Sequence, residues 1–282
     1  MDTFLLRNQV EIPVIGFGTY KTTDGENADI IRQAIEAGYR YLDTASIYGN
    51  EQAVGRAIGE SGVPREDLFL CSKVWRERLG YSTTREDFET SCKNLETDYL
   101  DLYLVHWPRP KDLQADWRTL LLETWRAMEE FYRQGRVRAI GVSNFLPHHL
   151  NFLLENTSIF PVINQIEFHP GYIQKTTVDF CRNQGIQVSA WSPMGRGRVM
   201  KEPLLVEMAE KYQVSVAQLC IRFALQCGVL PLPKSSSWER MRQNLDVFQF
   251  EIERDDMYQL LTLPQVGWSG EHPDRERVPA QA

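Results

Sequence analysis

Four side chains able to move or stabilise a proton fall at or just beyond the ends of short apolar stretches. Asp43 closes YLD, Tyr48 follows it by five residues, Lys73 closes FLCSK and His106 closes LYLVH. Each has a plain structural use: a turn cap, a rim aromatic, a solvated lysine, a satisfied core histidine. On three adjacent strands of one barrel rim they make a working set instead. A free phenol titrates near about 10, and a neighbouring ammonium favours its ionised form and lowers that value. Lys73 is expected to acidify Tyr48 in this way, with Asp43 holding Lys73 charged and His106 binding a substrate oxygen. Such a donor suits an oxygen becoming an alkoxide, as when a carbonyl receives hydride. Amino acids carry no hydride, so a nicotinamide cofactor is required.

No G-x-G-x-x-G run opens a strand-turn-helix unit; GFGTYK has two early glycines and then diverges. Near the other end, LPKSSSWERMRQN places Lys234, Ser235, Ser237, Arg240 and Asn244 where a strand hands over to a helix. Barrels bind phosphate at this position, because a helix N-terminus offers free N–H groups and a positive dipole end. Ser237 as an ordinary N-cap and Lys234 with Arg240 as solvated cations are the alternatives. Between the two ends, GVSNF, NQIEF and AWSPM carry Ser143, Asn144, Gln165, Trp191 and Ser192 to strand ends. Hydroxyl and amide groups can bond a carboxamide, and an indole face can stack on a nicotinamide or simply fill the core.

The elements that position these residues recur in one order: an amphipathic helix, a glycine, then a β-branched or aromatic run. Gly38, Gly135, Gly185 and Gly228 stand where helix C-caps take left-handed dihedrals. Strands are expected at 14–18, 41–43, 68–73, 102–106, 139–143, 163–168, 187–192 and 229–233. Eight strands separated by helices predict an α/β fold of the (β/α)8 TIM-barrel type. Residues 1–282 read as one such domain, with the polar segment GWSGEHPDRERVPAQA as a short C-terminal tail near the active-site mouth.

Bulk properties narrow the function classes. The 282 residues carry a formal net charge of −7, which opposes broad nucleic-acid affinity. No apolar run is long enough to span a bilayer, and the N-terminus lacks a signal-peptide pattern, so a cytoplasmic protein is expected. Cys71, Cys92, Cys181, Cys220 and Cys227 show neither paired spacing nor a nearby histidine cluster, so neither disulfides nor a metal site is expected.

The ordered set GFGTYK, LDTASIYGNE, SKVW, DLYLVHWP, AIGVSNF, NQIEFHP, AWSPMGRG and LPKSSSWER closely resembles the aldo-keto reductase superfamily. The resemblance implies a (β/α)8 barrel binding NADPH across its C-terminal mouth, with a catalytic tetrad of Asp43, Tyr48, Lys73 and His106 and Tyr48 as the acid. It implies that Ser143, Asn144 and Gln165 hold the carboxamide and Trp191 stacks on the nicotinamide. Thr19, Asp43, Ser192, Pro193 and Met194 complete that side; Lys234, Ser235 and Arg240 would meet the 2′-phosphate and Asn244 the adenine. Trp191 stands where animal members carry tyrosine, MGRGRV lacks their acidic strap residue, and the tail is short, as in a microbial branch that includes diketogluconate and small-aldehyde reductases. By position, Tyr20, Trp75 and Trp107, with Tyr48 and His106, wall the substrate pocket, and Trp268 of the tail is a further candidate. The expected function is NADPH-dependent reduction of a small carbonyl compound by a monomer. A nicotinamide-binding sensor or regulatory subunit on the same fold is the alternative, and an isomerase or hydrolase using the phosphate site is a more distant one.

Overall fold

The positions where helices give way to strands follow the glycines: φ is 115° at Gly38, 71° at Gly135, 66° at Gly185 and 67° at Gly228. In the computed structural model, which describes residues 2–22, 27–112 and 115–278, these turns join a nearly regular alternation. A hairpin of β1 (Thr3–Leu5) and β2 (Glu11–Pro13) precedes β3 (Phe17–Gly18), α1 (Asp29–Ala37), β4 (Tyr41–Asp43), α2 (Glu51–Glu60), β5 (Phe69–Val74) and α3 (Tyr81–Asn94). There follow β6 (Leu100–Val105), α4 (Trp117–Arg133), β7 (Val137–Ser143), α5 (Pro147–Asn156), β8 (Ile163–Glu167), α6 (Lys175–Asn183) and β9 (Gln187–Trp191). Two helices, α7 (Pro203–Tyr212) and α8 (Val216–Gln226), lead to β10 (Val229–Leu232), and α9 (Trp238–Leu245) and α10 (Arg254–Thr262) complete the helices.

β3 to β10 pair in chain order, all parallel. Two backbone bonds close the ring: Gly16 N–H donates to the Pro231 carbonyl at 3.1 Å and Gly18 N–H to the Pro233 carbonyl at 3.0 Å. The expected (β/α)8 barrel is therefore the fold.

Period-two alternation then sorts each strand between two cores. Tyr41, Cys71, Leu102, Leu104, Ala139, Ile163, Leu230 and Leu232 fill the barrel interior together with Leu6 and Ile12 of the hairpin. Their strand neighbours, including Leu42, Leu70, Tyr103, Ile140 and Val188, pack outward against the helices. Gly141 is required by this filling: a Cβ there would stand 2.6 Å from Ile163 Cγ2 and 2.8 Å from the Ile163 carbonyl oxygen. Two residues beyond Tyr41, Cys71 and Leu104 on the same inner face come Asp43, Lys73 and His106. The apolar column of each strand thus ends in a reactive group.

The expected strands differ from these in their ends. Residues 14–16 lie outside β3, and the hairpin was not anticipated, because two three-residue strands leave too little periodic signal. His106, Phe168, Ser192 and Pro233 lie one residue past their strands, while β5 runs one residue beyond Lys73. Ser192 has φ 51°, which takes the chain out of the ladder, and Pro233 has no N–H to contribute to one.

Candidate active site

Asp43 is the hub. Its Oδ1 accepts a hydrogen bond from Lys73 Nζ at 2.6 Å, and its Oδ2 accepts from Gln165 Nε2 at 2.7 Å and from the Tyr41 hydroxyl at 3.3 Å. Lys73 is fully buried and also donates to the Thr44 carbonyl at 2.7 Å. Burial opposes its charge, but Asp43 and the neighbouring Tyr48 outweigh that and hold the ammonium above its ordinary pKa. Thr19, assigned to the cofactor side by resemblance, is also fully buried; its hydroxyl and amide both donate to the Asp43 carbonyl, so it stands behind the site.

Tyr48 lies at the end of a short 3-10 turn, Ser46–Tyr48, that leaves the β4 end. Its half-buried ring centroid is 5.1 Å from Lys73 Nζ, 5.6 Å from the His106 ring and 4.9 Å from the Tyr20 ring. The expected acidification is corrected here. Burial pushes the phenol up to about 12, Lys73 pulls against it, and Asp43 adds to the rise. Lys73 therefore limits the rise instead of reversing it. A phenol in this setting stays protonated at neutral pH, and the adjacent ammonium favours the phenolate left behind when the proton departs.

His106 is 8% exposed. Burial, Lys73 and Arg76 together hold its pKa well below the ordinary value, so the imidazole is neutral. Its Nδ1 is buried without a partner among the described residues. The Trp75 ring packs edge-on at 5.1 Å, and Trp107 is buried beside it in sequence. Trp268 stacks on Tyr172 at 5.9 Å, at the β8 side of the mouth.

Around the rim, Ser143, Asn144 and Gln165 are largely committed to one another, to Asp43 and to the His106 carbonyl. Ser143 Oγ donates to the Gln165 carbonyl at 2.8 Å, and Asn144 Nδ2 donates to the His106 carbonyl at 3.0 Å and to Ser143 Oγ at 3.1 Å. The Trp191 Nε1–H donates to Asn144 Oδ1 at 2.8 Å, which fixes the half-buried indole, and the Arg196 guanidinium lies 5.2 Å from its ring. Ser192, Pro193 and Met194 continue from Trp191 into a tight turn. At the far side of β10, Ser237 caps α9 by accepting from Arg240 N–H at 3.4 Å. Lys234 and Arg240 are exposed and form no ion pair among the described residues; Ser235 and Asn244 are buried beside them. A helix N-terminus flanked by two exposed cations fits a phosphate, and a pinned indole on the same rim fits a flat ring. The donor set therefore suits a phosphorylated nicotinamide cofactor.

Residues 14–263 match the model of the aldo/keto reductase family. The chain belongs to that family. Glyoxal reductase of Bacillus subtilis (strain 168) is 47% identical over 274 residues, spanning 97% of this chain and 96% of its own. A 9,11-endoperoxide prostaglandin H2 reductase of Trypanosoma cruzi is 42% identical over 273 residues, 95% of this chain and 94% of its own. Among solved structures, an aldo/keto reductase from Brucella melitensis superposes with a TM-score of 0.86 at 40% identity, covering 92% of this chain and 98% of the other. A Bombyx mori aldo-keto reductase in complex with NADP gives 0.83 at 35% identity, covering 92% and 91%. This aldo/keto reductase is thus an oxidoreductase of carbonyl compounds, in a family that works with NADP(H).

Three features of this aldo/keto reductase were not legible beforehand. Gln165 steadies Asp43, which no spacing reveals across 122 residues. The tail is docked: buried Glu167 accepts from Ser269 N–H at 2.9 Å and Ser269 Oγ at 2.6 Å, and Val266 N–H donates to the Gly171 carbonyl. Farther along, Asp274 meets His149 Nε2 at 2.9 Å and Arg109 at 3.3 Å. His149 Nδ1 accepts from Leu146 N–H, so its proton is on Nε2 and points at Asp274, making a hydrogen-bonded latch of the His148, His149 and Asp274 group. The described part of the tail ends at residue 278; residues 279–282 lie outside it. Among the described residues, no helix is long and apolar enough to cross a membrane.

Proposed function

We propose that this chain is an NADPH-dependent reductase that converts aldehydes or ketones, such as methylglyoxal, aryl aldehydes, keto esters or diketo sugar acids, to alcohols. The observation that carries the reading is the convergence of a protonated phenol, a buried ammonium-carboxylate pair and a neutral imidazole on one barrel rim. When bound, NADPH supplies the hydride to the carbonyl carbon. Tyr48 gives its phenolic proton to the carbonyl oxygen, so the phenol O–H bond breaks as the alcohol O–H bond forms. Lys73 stabilises the resulting phenolate, and Asp43 keeps Lys73 from following the proton. His106 orients the oxygen beside Tyr48 without adding a charge.

Trp191 would take the nicotinamide face, with Ser143, Asn144 and Gln165 at the carboxamide and Ser192, Pro193 and Met194 along the same edge. Lys234, Ser235 and Arg240 would meet the 2′-phosphate and Asn244 the adenine. Tyr20, Trp75 and Trp107 would wall the carbonyl substrate. The protein is read as one barrel domain acting as a cytoplasmic monomer. The deciding experiment follows NADPH oxidation by absorbance with methylglyoxal, an aryl aldehyde, a keto ester and a diketo sugar acid. Tyr48→Phe should lower turnover by about 10²- to 10⁴-fold, the usual worth of a positioned general acid. NADPH affinity, read by fluorescence quenching, should persist; wild-type-like turnover in the variant would remove Tyr48 from its role.

A further inference from the structure

Several arginines crowd the same mouth, and most are matched. Arg109 Nη1 lies 3.3 Å from Asp274 Oδ1, while Arg196 Nη1 and Arg277 Nε lie 3.8 Å and 3.5 Å from Glu271 Oε1. Arg76 differs. It is half-buried, forms no ion pair among the described residues, and its guanidinium makes one hydrogen bond there, from Nη2 to the Pro110 carbonyl at 3.0 Å. Its Nε is buried without an acceptor. The nearby acids do not close this gap: Glu77 is its exposed chain neighbour, and Glu271 already serves Arg196 and Arg277.

The place of this cation matters. Its guanidinium lies 5.5 Å from the Trp107 ring, between chain neighbours of the site: Trp75 precedes Arg76 and packs 5.1 Å from the His106 ring, and Trp107 follows His106. The charge is felt at the catalytic imidazole, whose pKa is depressed by burial, Lys73 and Arg76 in that order. Withdrawing a guanidinium from water without an anion costs free energy, and its planar fork is matched by a carboxylate.

We propose that Arg76 is a specificity residue that receives a carboxylate carried by the carbonyl substrate, making oxo acids the preferred class. The aromatic wall of Trp75 and Trp107 holds the carbon skeleton between the carboxylate and the reducible carbonyl beside His106. This deepens the carbonyl-reductase reading and rests on it.

The test compares 4-carboxybenzaldehyde with its neutral counterpart, methyl 4-formylbenzoate, using NADPH. The wild type should favour the carboxylate in kcat/KM. Arg76→Gln should reduce the acid-to-ester ratio by about 10- to 100-fold, chiefly through KM, and Arg76→Lys should retain part of it. Terephthalate should compete with the acid aldehyde in the wild type, with its inhibition constant raised in Arg76→Gln. Thermal unfolding and ester turnover establish that each variant is folded. A ratio unchanged by Arg76→Gln, or a wild type that prefers the ester, overturns the assignment while leaving carbonyl reduction standing. Reduction of neither aldehyde by a wild type that reduces methylglyoxal overturns the assignment alone, and reduction of no carbonyl compound at all overturns both.

Discussion

Replacing Lys73 by methionine separates the folding role of the buried ion pair from its chemical role. In the native protein the ammonium is fully buried, 2.6 Å from Asp43 Oδ1 and 2.7 Å from the Thr44 carbonyl. At that separation and an effective dielectric near 20, the gross attraction is about 6 kcal/mol, most of it offset by desolvation of both ions. Methionine fills much of the volume but leaves a 3%-exposed carboxylate that keeps Gln165 and Tyr41 as donors and has lost its cation. Orphaning one partner of such a pair costs about 3–5 kcal/mol, a large share of a typical stability of about 5–15 kcal/mol. Urea unfolding followed by circular dichroism should show that loss. The double variant Lys73→Met with Asp43→Asn removes the unpaired charge, so it should recover at least half of the lost stability. Turnover should not recover, because the contribution that opposes the rise of the Tyr48 pKa comes from Lys73. A single variant as stable as the wild type, or a double variant no more stable than the single, would refute the reasoning about the buried pair. A double variant that regains turnover would refute the role of Lys73 in proton donation.

Two further outcomes follow from the rim and the tail. Exchanging both Lys234 and Arg240 for methionine should lower the ratio of NADPH to NADH affinity by at least about tenfold, because charge-assisted bonds to a phosphate are lost; titration of each cofactor by fluorescence reads the ratio, and an unchanged ratio would dismiss the 2′-phosphate assignment. Burial holds His149 down to about 4 against an ordinary 6.5, despite the attraction of Asp274. Its folded pKa is depressed, so between these values the unfolded chain binds more protons: the stability linked to neutral His149 is complete above 6.5 and is lost as pH falls towards 4. The shift corresponds to about 3 kcal/mol. Urea unfolding from pH 7 to pH 4 should therefore show a shallower decline in His149→Gln than in the wild type, and equal slopes would contradict the shift.

Much of the architecture was legible because it rests on local periodicity. Alternation within strands, helical faces between them and left-handed glycines at the joins are properties of short windows, and they placed eight strands in the right order. The same alternation carried Asp43, Lys73 and His106 to the inner face, since each follows an inward apolar residue by two positions. Strand ends and the hairpin escaped because they depend on which backbone groups find partners far along the chain, as Gly16 and Gly18 do at Pro231 and Pro233. For the residues expected on the cofactor side, type was legible but mutual bonding was not: Gln165 donates to Asp43, a partner 122 positions away.

The sequence by itself determined the barrel pattern, the set of reactive side chains and the rim on which they meet. Tertiary structure alone decided how those groups behave. Whether Lys73 makes Tyr48 more acidic depends on a contest between its charge and the desolvation imposed by every segment around the phenol, and desolvation prevails. Whether an arginine is balanced depends on carboxylates brought by the C-terminal tail: Asp274 reaches Arg109 across 165 residues and Glu271 reaches Arg196, while Arg76 is left without an ion pair among the described residues. Burial and charge balance are sums over neighbours in space, and a linear order of residues does not contain those sums until the barrel has closed.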